Sequence, residues 1–455
     1  MNRFIPSILV LIAFFVFDAQ ANTSKNSPPK LKQQQNAIKL VTSSTSVVTD
    51  KASTSSISSN PAAVNVGTGS GALQQFIEKK FGIKNNYGIT GQGAWIGDSN
   101  KLFSGGIPDA KQTTSNSVLL LDLTVEMAKF NGWKGGLFSA QFLQENAQNT
   151  NGQAGIVQGY NSLPDVPPYN RSELYALWYR QALLNNTLFV RVGKTITTLD
   201  FNNVIKPVPL STGDPNIPAV SSLIYTPLFI NPAVDGIMPG YTNSAYGITA
   251  TYTPIKEWYI SYGIYDGNLA SGKQTGLTGP TFNGRSFQVG ETGAAWVLGK
   301  YHMPGTTGVG LWHQDGLIQQ GYLTENEATG AYLFGSQRLW YRHPGQDISG
   351  ISGFYQYSIN NSSVLPMKQS LGAGLTAFGL IANREDDSMG IGVSLAWLNS
   401  RVTERSTELM YQVYYQAKLL TGIYLEPALS YIPTPGQNIN FSPAFAGTIR
   451  AIVLF

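Results

Sequence analysis

The acidic pair in "LLLDLTVEM", Asp122 and Glu126, is the nearest approach to a catalytic constellation in this 455-residue chain. Two carboxylates can divide acid and nucleophile roles. On an extended strand, however, four residues span about 13 Å at ~3.3 Å each, too far for a glycosidase pair. Other reactive spacings fail sooner. "GNLASGKQ" (267–274) follows a phosphate-cradling loop as far as its lysine, then puts Gln274 where a metal-binding Ser or Thr belongs, with neither a buried strand nor a helix beside it. "VGKT" (192–195) ends correctly, but Leu188 occupies the position of the required first glycine. His302, His313 and His343 are too few and too separated for zinc. The chain has no cysteine, which removes thiol chemistry and any disulfide framework. "REDD" at 384–387 reads as a solvated turn. No enzyme, metal or cofactor is expected.

What remains is a set of polar and aromatic side chains that recur on one face of alternating segments. Arg180, Arg191, Arg338 and Arg450 fall there with Asp122, Glu126, Glu408 and Gln412, and so do Trp178, Tyr332, Phe334 and Trp340. Singly, such residues solvate a wall or pack it. Collectively they can act only if the elements that carry them surround a common space.

Those elements read as strands. "NSVLLLDLTVEMAKF", "TELMYQVYYQAKL", "TLFVRVGK" and "WYISYGIYDG" alternate apolar and polar residues, so each presents two different faces. The chain ends on "FAGTIRAIVLF", with Phe455, Val453, Ala451, Ile449, Gly447 and Phe445 on one side and Leu454, Ile452, Arg450, Thr448 and Ala446 on the other. That is the lipid-out, lumen-in pattern of a membrane barrel. Composition agrees: 48 Gly, 8 Trp, 23 Tyr and 21 Phe accompany only 12% charged residues, about half the share usual in a soluble domain. A net charge of +4 gives no footprint for nucleic acid.

Connections supply the topology. Short turns are expected at "FNGWKG", "LLNNT", "PIKEW", "MPGTT", "HPGQD", "ANREDD" and "LLTG", alternating with longer loops near 98–116, 146–170, 195–243, 266–285, 316–328, 360–368, 400–406 and 433–441. This parity predicts an all-β fold, a closed antiparallel transmembrane β-barrel of about 16 strands with both ends on the short-turn side. In hydrocarbon only such closure satisfies the backbone of a chain without long apolar helices.

Ahead of the barrel, residues 1–21 read as a signal peptide, with Arg3, an apolar run and a small-x-small site at Ala19-Gln20-Ala21. Residues 22–71 read as a disordered polar tether. Residues 72–86 read as a short periplasmic helix and linker, with Leu73, Phe76, Ile77 and Phe81 at helical spacing. The barrel is expected over 87–455.

The segments "LWYRHPGQDISGISGFYQYS", "LGAGLTAFGLIANREDDSMGIGVSLAWLN" and "TELMYQVYYQAKLLTGIYLEPALSYIPTPG" resemble the OprB-type carbohydrate-selective porins. "SELYALWYRQALLNNTLFVRVGK" and "GITATYTPIKEWYISYGIYDGN" are similar to that family's earlier strands. The likeness runs from about residue 73 to the end. It implies a 16-stranded porin in the outer membrane of a Gram-negative bacterium, exported through the periplasm and passing small sugars by diffusion. Implied partners are small sugars, outer-membrane lipid and the barrel-assembly machinery, with the barrel a monomer or a trimer; a general porin and a barrel-anchored adhesin are the alternatives. On this reading the pore-lining, substrate-binding candidates are Arg180, Arg191, Arg338, Arg450, Glu126, Asp122, Asp235 and Trp340. The long, proline-rich loop 195–243, which carries Asp235, is expected to fold into the lumen and set the eyelet, with a cell-surface lid as the alternative.

Overall fold

The structure is a computed structural model that describes residues 71–82, 87–109, 112–163, 169–202, 223–239, 244–267, 279–282, 285–347 and 349–455. The expected signal peptide and all of the expected tether except Gly71 lie outside the described residues.

Backbone pairing places the strands in chain order around one closed barrel, each antiparallel to its neighbours, with the last paired to the first. Among the described residues there are sixteen. The first eight are β1 (Ile89–Ser104), β2 (Thr113–Glu126), β3 (Gly136–Asn146), β4 (Asn170–Leu183), β5 (Leu188–Thr195), β6 (Ala245–Ile255), β7 (Trp258–Asp266) and β8 (Ser286–Leu298). The second eight are β9 (Met303–Gln320), β10 (Leu323–Tyr341), β11 (Gly350–Asn360), β12 (Met367–Phe378), β13 (Ser388–Leu398), β14 (Thr407–Leu420), β15 (Ile423–Ile432) and β16 (Ala444–Leu454). The expected short helix forms as α1 (Ala72–Phe81).

The faces follow the sequence alternation. In β16, Ala446, Thr448, Arg450, Ile452 and Leu454 are buried while Phe445 and Ile449 are exposed. The same outward exposure of Val192, Ile248, Ile260, Leu311, Leu375, Ile391 and Val413 makes an apolar belt around the wall. A soluble protein rarely exposes apolar surface so continuously, whereas a barrel in lipid requires it.

Three connections differ from expectation. Of the loop expected at 98–116, residues 98–104 and 113–116 are strand, since β1 runs on to Ser104 and β2 begins at Thr113; the outward residues Gly97, Ser99 and Lys101 give that strand no apolar alternation. Residues 316–328 are not a loop: β9 and β10 are the longest strands, at 18 and 19 residues, and meet at a two-residue turn, Gly321-Tyr322. Gly321 adopts φ 59°, the left-handed conformation a tight turn needs, and Tyr322 is 89% exposed at the tip. The turn expected at "MPGTT" instead occupies 299–302, with positive φ at Gly299 and His302, and Met303–Thr307 already pair with β8. Pro304 misleads because a proline near the start of a strand is tolerated there as well as in a turn.

Candidate functional site

Among the described residues, parts of the β5–β6 and β3–β4 connections occupy the lumen. The longer described stretch of the β5–β6 connection, residues 223–239, is mostly buried. Ile224, Tyr225, Leu228, Phe229, Ile230 and Ile237 share an apolar cluster with inward-facing Tyr332, Phe334, Phe354, Met410 and Tyr414. Prolines at the starts of the short turns Thr226–Phe229 and Pro232–Val234 fix its path.

The wall holds this loop by its backbone. Gln412 Oε1 accepts from Ile224 N (2.6 Å) and Tyr225 N (3.1 Å). Gln356 Nε2 donates to the Pro227 carbonyl (2.6 Å), and Asn360 Nδ2 to that of Ala233 (2.6 Å). Ser358 Oγ accepts from Ala233 N at 3.2 Å. Without these partners the loop's buried amides would each carry a desolvation cost of ~1–3 kcal/mol.

The β3–β4 connection enters beside it. The Glu408 carboxylate accepts three backbone amides, Val157 N and Gln158 N at 2.8 Å and Gly436 N at 2.6 Å. Gln158 Oε1 accepts from Ser394 Oγ at 2.6 Å. Asn161 Nδ2 donates to Asp98 Oδ2 (2.7 Å) and Asn100 Oδ1 (2.8 Å).

Eight buried charges on the other part of the wall pair with one another. Arg450 Nε and Nη2 grip the two Asp98 oxygens at 2.8 and 2.7 Å across the β1–β16 junction. Arg171 Nε donates to Glu145 at 2.6 Å, while Glu173 lies 3.4 Å from Arg171 Nη1 and 3.5 Å from Lys194 Nζ. Arg191 Nη1 reaches both Asp200 oxygens at 2.8 Å, and its guanidinium carbon lies 4.6 Å from the centre of the Trp178 ring.

The remaining expected site residues are dispersed. Arg180 sits opposite Arg191 in the β4–β5 ladder, over the Phe189 ring at 5.2 Å. Arg338 is buried and stacks on Tyr341 (4.8 Å) and Phe378 (5.5 Å). Asp122 is buried on the inward face of β2, and Glu126, at the end of that strand, pairs with Lys129 at 3.0 Å. Asp235 follows the turn Pro232–Val234 within the inward loop and is partly buried.

Trp340 is a correction. A β-bulge between Arg338 and Trp340 sets Trp340 opposite the outward-facing Ile351, and its side chain is 47% exposed on the outer wall. The one extra residue reverses the facing of all that follow, so Tyr341 takes the inward position. The inward aromatics Tyr332 and Phe334 are also committed, since they pack against the loop.

Asp98, Glu145, Arg171, Glu173, Lys194 and Asp200 escape a reading of the sequence, although they form most of the buried ion pairs. The available signal was parity: Asp98 lies two and four residues from inward Asn100 and Leu102 on the same strand. Glu291 was also missed; it accepts the hydroxyls of Tyr259 (2.8 Å) and Tyr332 (2.7 Å) and the amide of Asn202 (2.7 Å).

Opposite charges this close cancel much of each other's field at a distance, and amides and hydroxyls near them can exchange hydrogen bonds with an uncharged, hydroxyl-rich solute as its water is stripped. Comparison with known proteins points the same way. Porin B of Pseudomonas aeruginosa is 20% identical over 436 residues, spanning 86% of this chain and 91% of that protein. The high-pH structure of Pseudomonas putida OprB has the same fold, with a TM-score of 0.71 at 16% identity over 87% of this chain and 99% of that one. The low-pH structure of that protein gives 0.51 at 15% identity, covering 84% and 97%. The profile of the carbohydrate-selective porin OprB family matches residues 111–455, most of the chain, which therefore belongs to that family of outer-membrane porins.

Proposed function

We propose that the barrel is a passive channel for small neutral sugars, and that residues 223–239 form its constriction. The supporting observation is the pairing of eight of the lumen's buried charges. Where Asp98–Arg450, Arg191–Asp200 and the Glu145–Arg171–Glu173–Lys194 group neutralise themselves over 2.6–3.5 Å, a permeating ion finds no complementary rail. A sugar hydroxyl can still trade hydrogen bonds with Gln, Asn, Ser and Thr side chains. Of the lumen residues, Arg191 and Arg338 are the first candidates to meet the permeant, and Asp122 and Asp235 are the next.

Reconstituted protein should show stepwise conductance in planar bilayers and swell liposomes faster with mono- or disaccharides than with amino acids of equal size. Equal swelling rates would make it a general porin, and an absence of conductance from folded protein would remove the channel altogether.

The rest of its biogenesis belongs to the same proposal: export through the periplasm under the N-terminal signal, then closure by the assembly machinery. There the terminal Phe455 acts as a recognition residue. Its deletion should lower the amount of barrel reaching the outer membrane far more than the melting temperature of what does assemble; normal yield with a large thermal loss would reduce Phe455 to wall packing. Whether one barrel or three form the unit is decided by the mass of the detergent-extracted protein.

A further inference from the structure

The closed barrel has one imperfect place. β16 ends at Leu454, opposite Ala94, and the last ladder contact is an exchange between Gly93 and Phe455, with N···O distances of 2.6 and 2.8 Å. β1 continues beyond it: residues 89–92 pair with β2 on one side and, among the described residues, with no strand on the other. A strand edge of that kind exposes backbone donors and acceptors, which closure elsewhere in the barrel removes.

The helix α1 lies against this edge. Gln74 Oε1 accepts the Gly91 amide at 2.9 Å, and Ile77, buried in an otherwise exposed helix, rests with Leu73 on Gly91. Any side chain at Gly91 would collide with Ile77, just as one at Gly93 would collide with the Phe455 ring. Because Ala94, Ile96 and Asp98 face the lumen, Gly91 and Gly93 face outward. The helix therefore sits on the lipid side of the wall, at the end that carries the short turns.

Its free surface has two characters. Phe76 and Phe81 are 56% and 48% exposed, with ring centres 6.3 Å apart in an edge-on arrangement. Lys79 and Lys80 occupy the last turn, also exposed. On the same outer face lies a hollow of about 500 Å³ lined by Ile89, Val125, Met127, Trp133, Phe138 and Tyr179, an aromatic-rimmed surface suited to the boundary between acyl chains and headgroups.

We propose that α1 is an interfacial helix inserted in the periplasmic leaflet of the outer membrane. Phe76 and Phe81 lie among the acyl chains, Lys79 and Lys80 reach the phosphates, and the helix covers the β1 edge that β16 does not reach. An amphipathic segment with an apolar flank and basic polar residues binds lipid in this orientation. The seal and the anchor support each other, since lipid contact holds Gln74 where it can meet Gly91. The proposal rests on the barrel spanning the membrane.

The absence of cysteine allows single, unique labels in the full-length protein. An environment-sensitive fluorophore is attached to F76C, to V413C in the outward wall of β14 as the reference for lipid contact, and to Q75C on the polar side of the helix. The proteins are reconstituted in phosphatidylethanolamine–phosphatidylglycerol vesicles with and without brominated acyl chains. The expected result is blue-shifted emission and quenching at position 76 of at least half that at 413, and weaker quenching at 75. Water-like emission at 76 with strong quenching at 413 would overturn the proposal while leaving the barrel intact; no quenching at 413 would overturn the membrane reading and this one with it. Sealing is read separately, from the temperature at which the compact form is lost in detergent gels. Gln74→Leu should lower it by a few degrees and Gln74→Glu, which keeps the acceptor, should not. If neither Gln74→Leu nor removal of residues 72–81 changes that temperature, the helix does not seal the edge.

Discussion

The inner wall formed by β1 to β5 and β16, with Asp200 just beyond β5, holds eight buried charges in contact with one another, whereas the wall from β11 to β15 presents mainly amides and hydroxyls and binds loops. On the first side, Asp98, Glu145, Glu173 and Asp200 are each matched by a cation within 3.5 Å. On the second, Gln356, Ser358, Asn360 and Gln412 grip the backbone of residues 224–233. The two solutions do different work. A buried ion pair gains little net stability after desolvation, yet losing one partner is costly, so such pairs fix which strand meets which. Amide contacts to a backbone are indifferent to the loop's side chains, so they position the loop while leaving its surface free to vary.

The largest expected effect separates these roles outright. Replacing residues 223–239 by a short Gly-Ser linker should raise single-channel conductance several-fold and abolish discrimination between sugars, while the barrel still folds because its ionic side is intact. Unchanged conductance in bilayers would place the constriction elsewhere. Next comes Asp98→Asn, which leaves Arg450 buried without its carboxylate. Breaking a buried pair costs ~3–5 kcal/mol, visible in the urea midpoint, and the uncompensated guanidinium should move the reversal potential in a salt gradient toward anion preference. Recovery of both in Asp98→Asn combined with Arg450→Gln would identify the pair, and no recovery would mean that Asp98 acts through Asn161 instead.

Smaller effects sharpen the comparison. Arg191→Ala and Arg338→Ala should each weaken sugar block of ion current by no more than a hydrogen bond to a charged group, ~1.5–3 kcal/mol. Unaltered block in both would assign sugar contact to the neutral side. Smallest is Gln356→Leu, which removes one neutral bond to the Pro227 carbonyl. About 1 kcal/mol is at stake, too little to unfold the barrel but enough to raise open-channel current noise, and a quiet channel would show that the remaining contacts hold the loop alone.

Legibility in the sequence follows the membrane. Within the apolar belt, inward and outward residues differ in kind, so the faces of β2, β5, β14 and β16 and the inward position of Arg450 can be read directly. Beyond the belt both faces are polar and the period of two carries no contrast. That is why "GLIQQGYLTENE" reads as a loop though it forms the ends of β9 and β10 around their turn. Asp98 escaped for a local reason: it stands opposite Arg450 in the ladder, but its own strand has Gly97 and Ser99 as outward neighbours, so it reads as loop, and Arg450 lies 352 residues further along. Trp340 illustrates another limit. Leu339 and Trp340 are both large and apolar, so a bulge that inserts one residue leaves no trace in the pattern while exchanging the two faces.

The long β9–β10 hairpin shapes how the outside world meets this channel. Strands of 18 and 19 residues extend roughly 60 Å, or roughly 45 Å upright at a tilt of ~40°, against an apolar band of ~25 Å. The hairpin must stand well clear of the lipid on the long-loop side, with Tyr322 at its summit, and the 361–366 loop leans on its flank where Ser363 N donates to Glu325 at 2.7 Å. Among the described strands these two are the longest, so the described part of the rim stands highest at this hairpin.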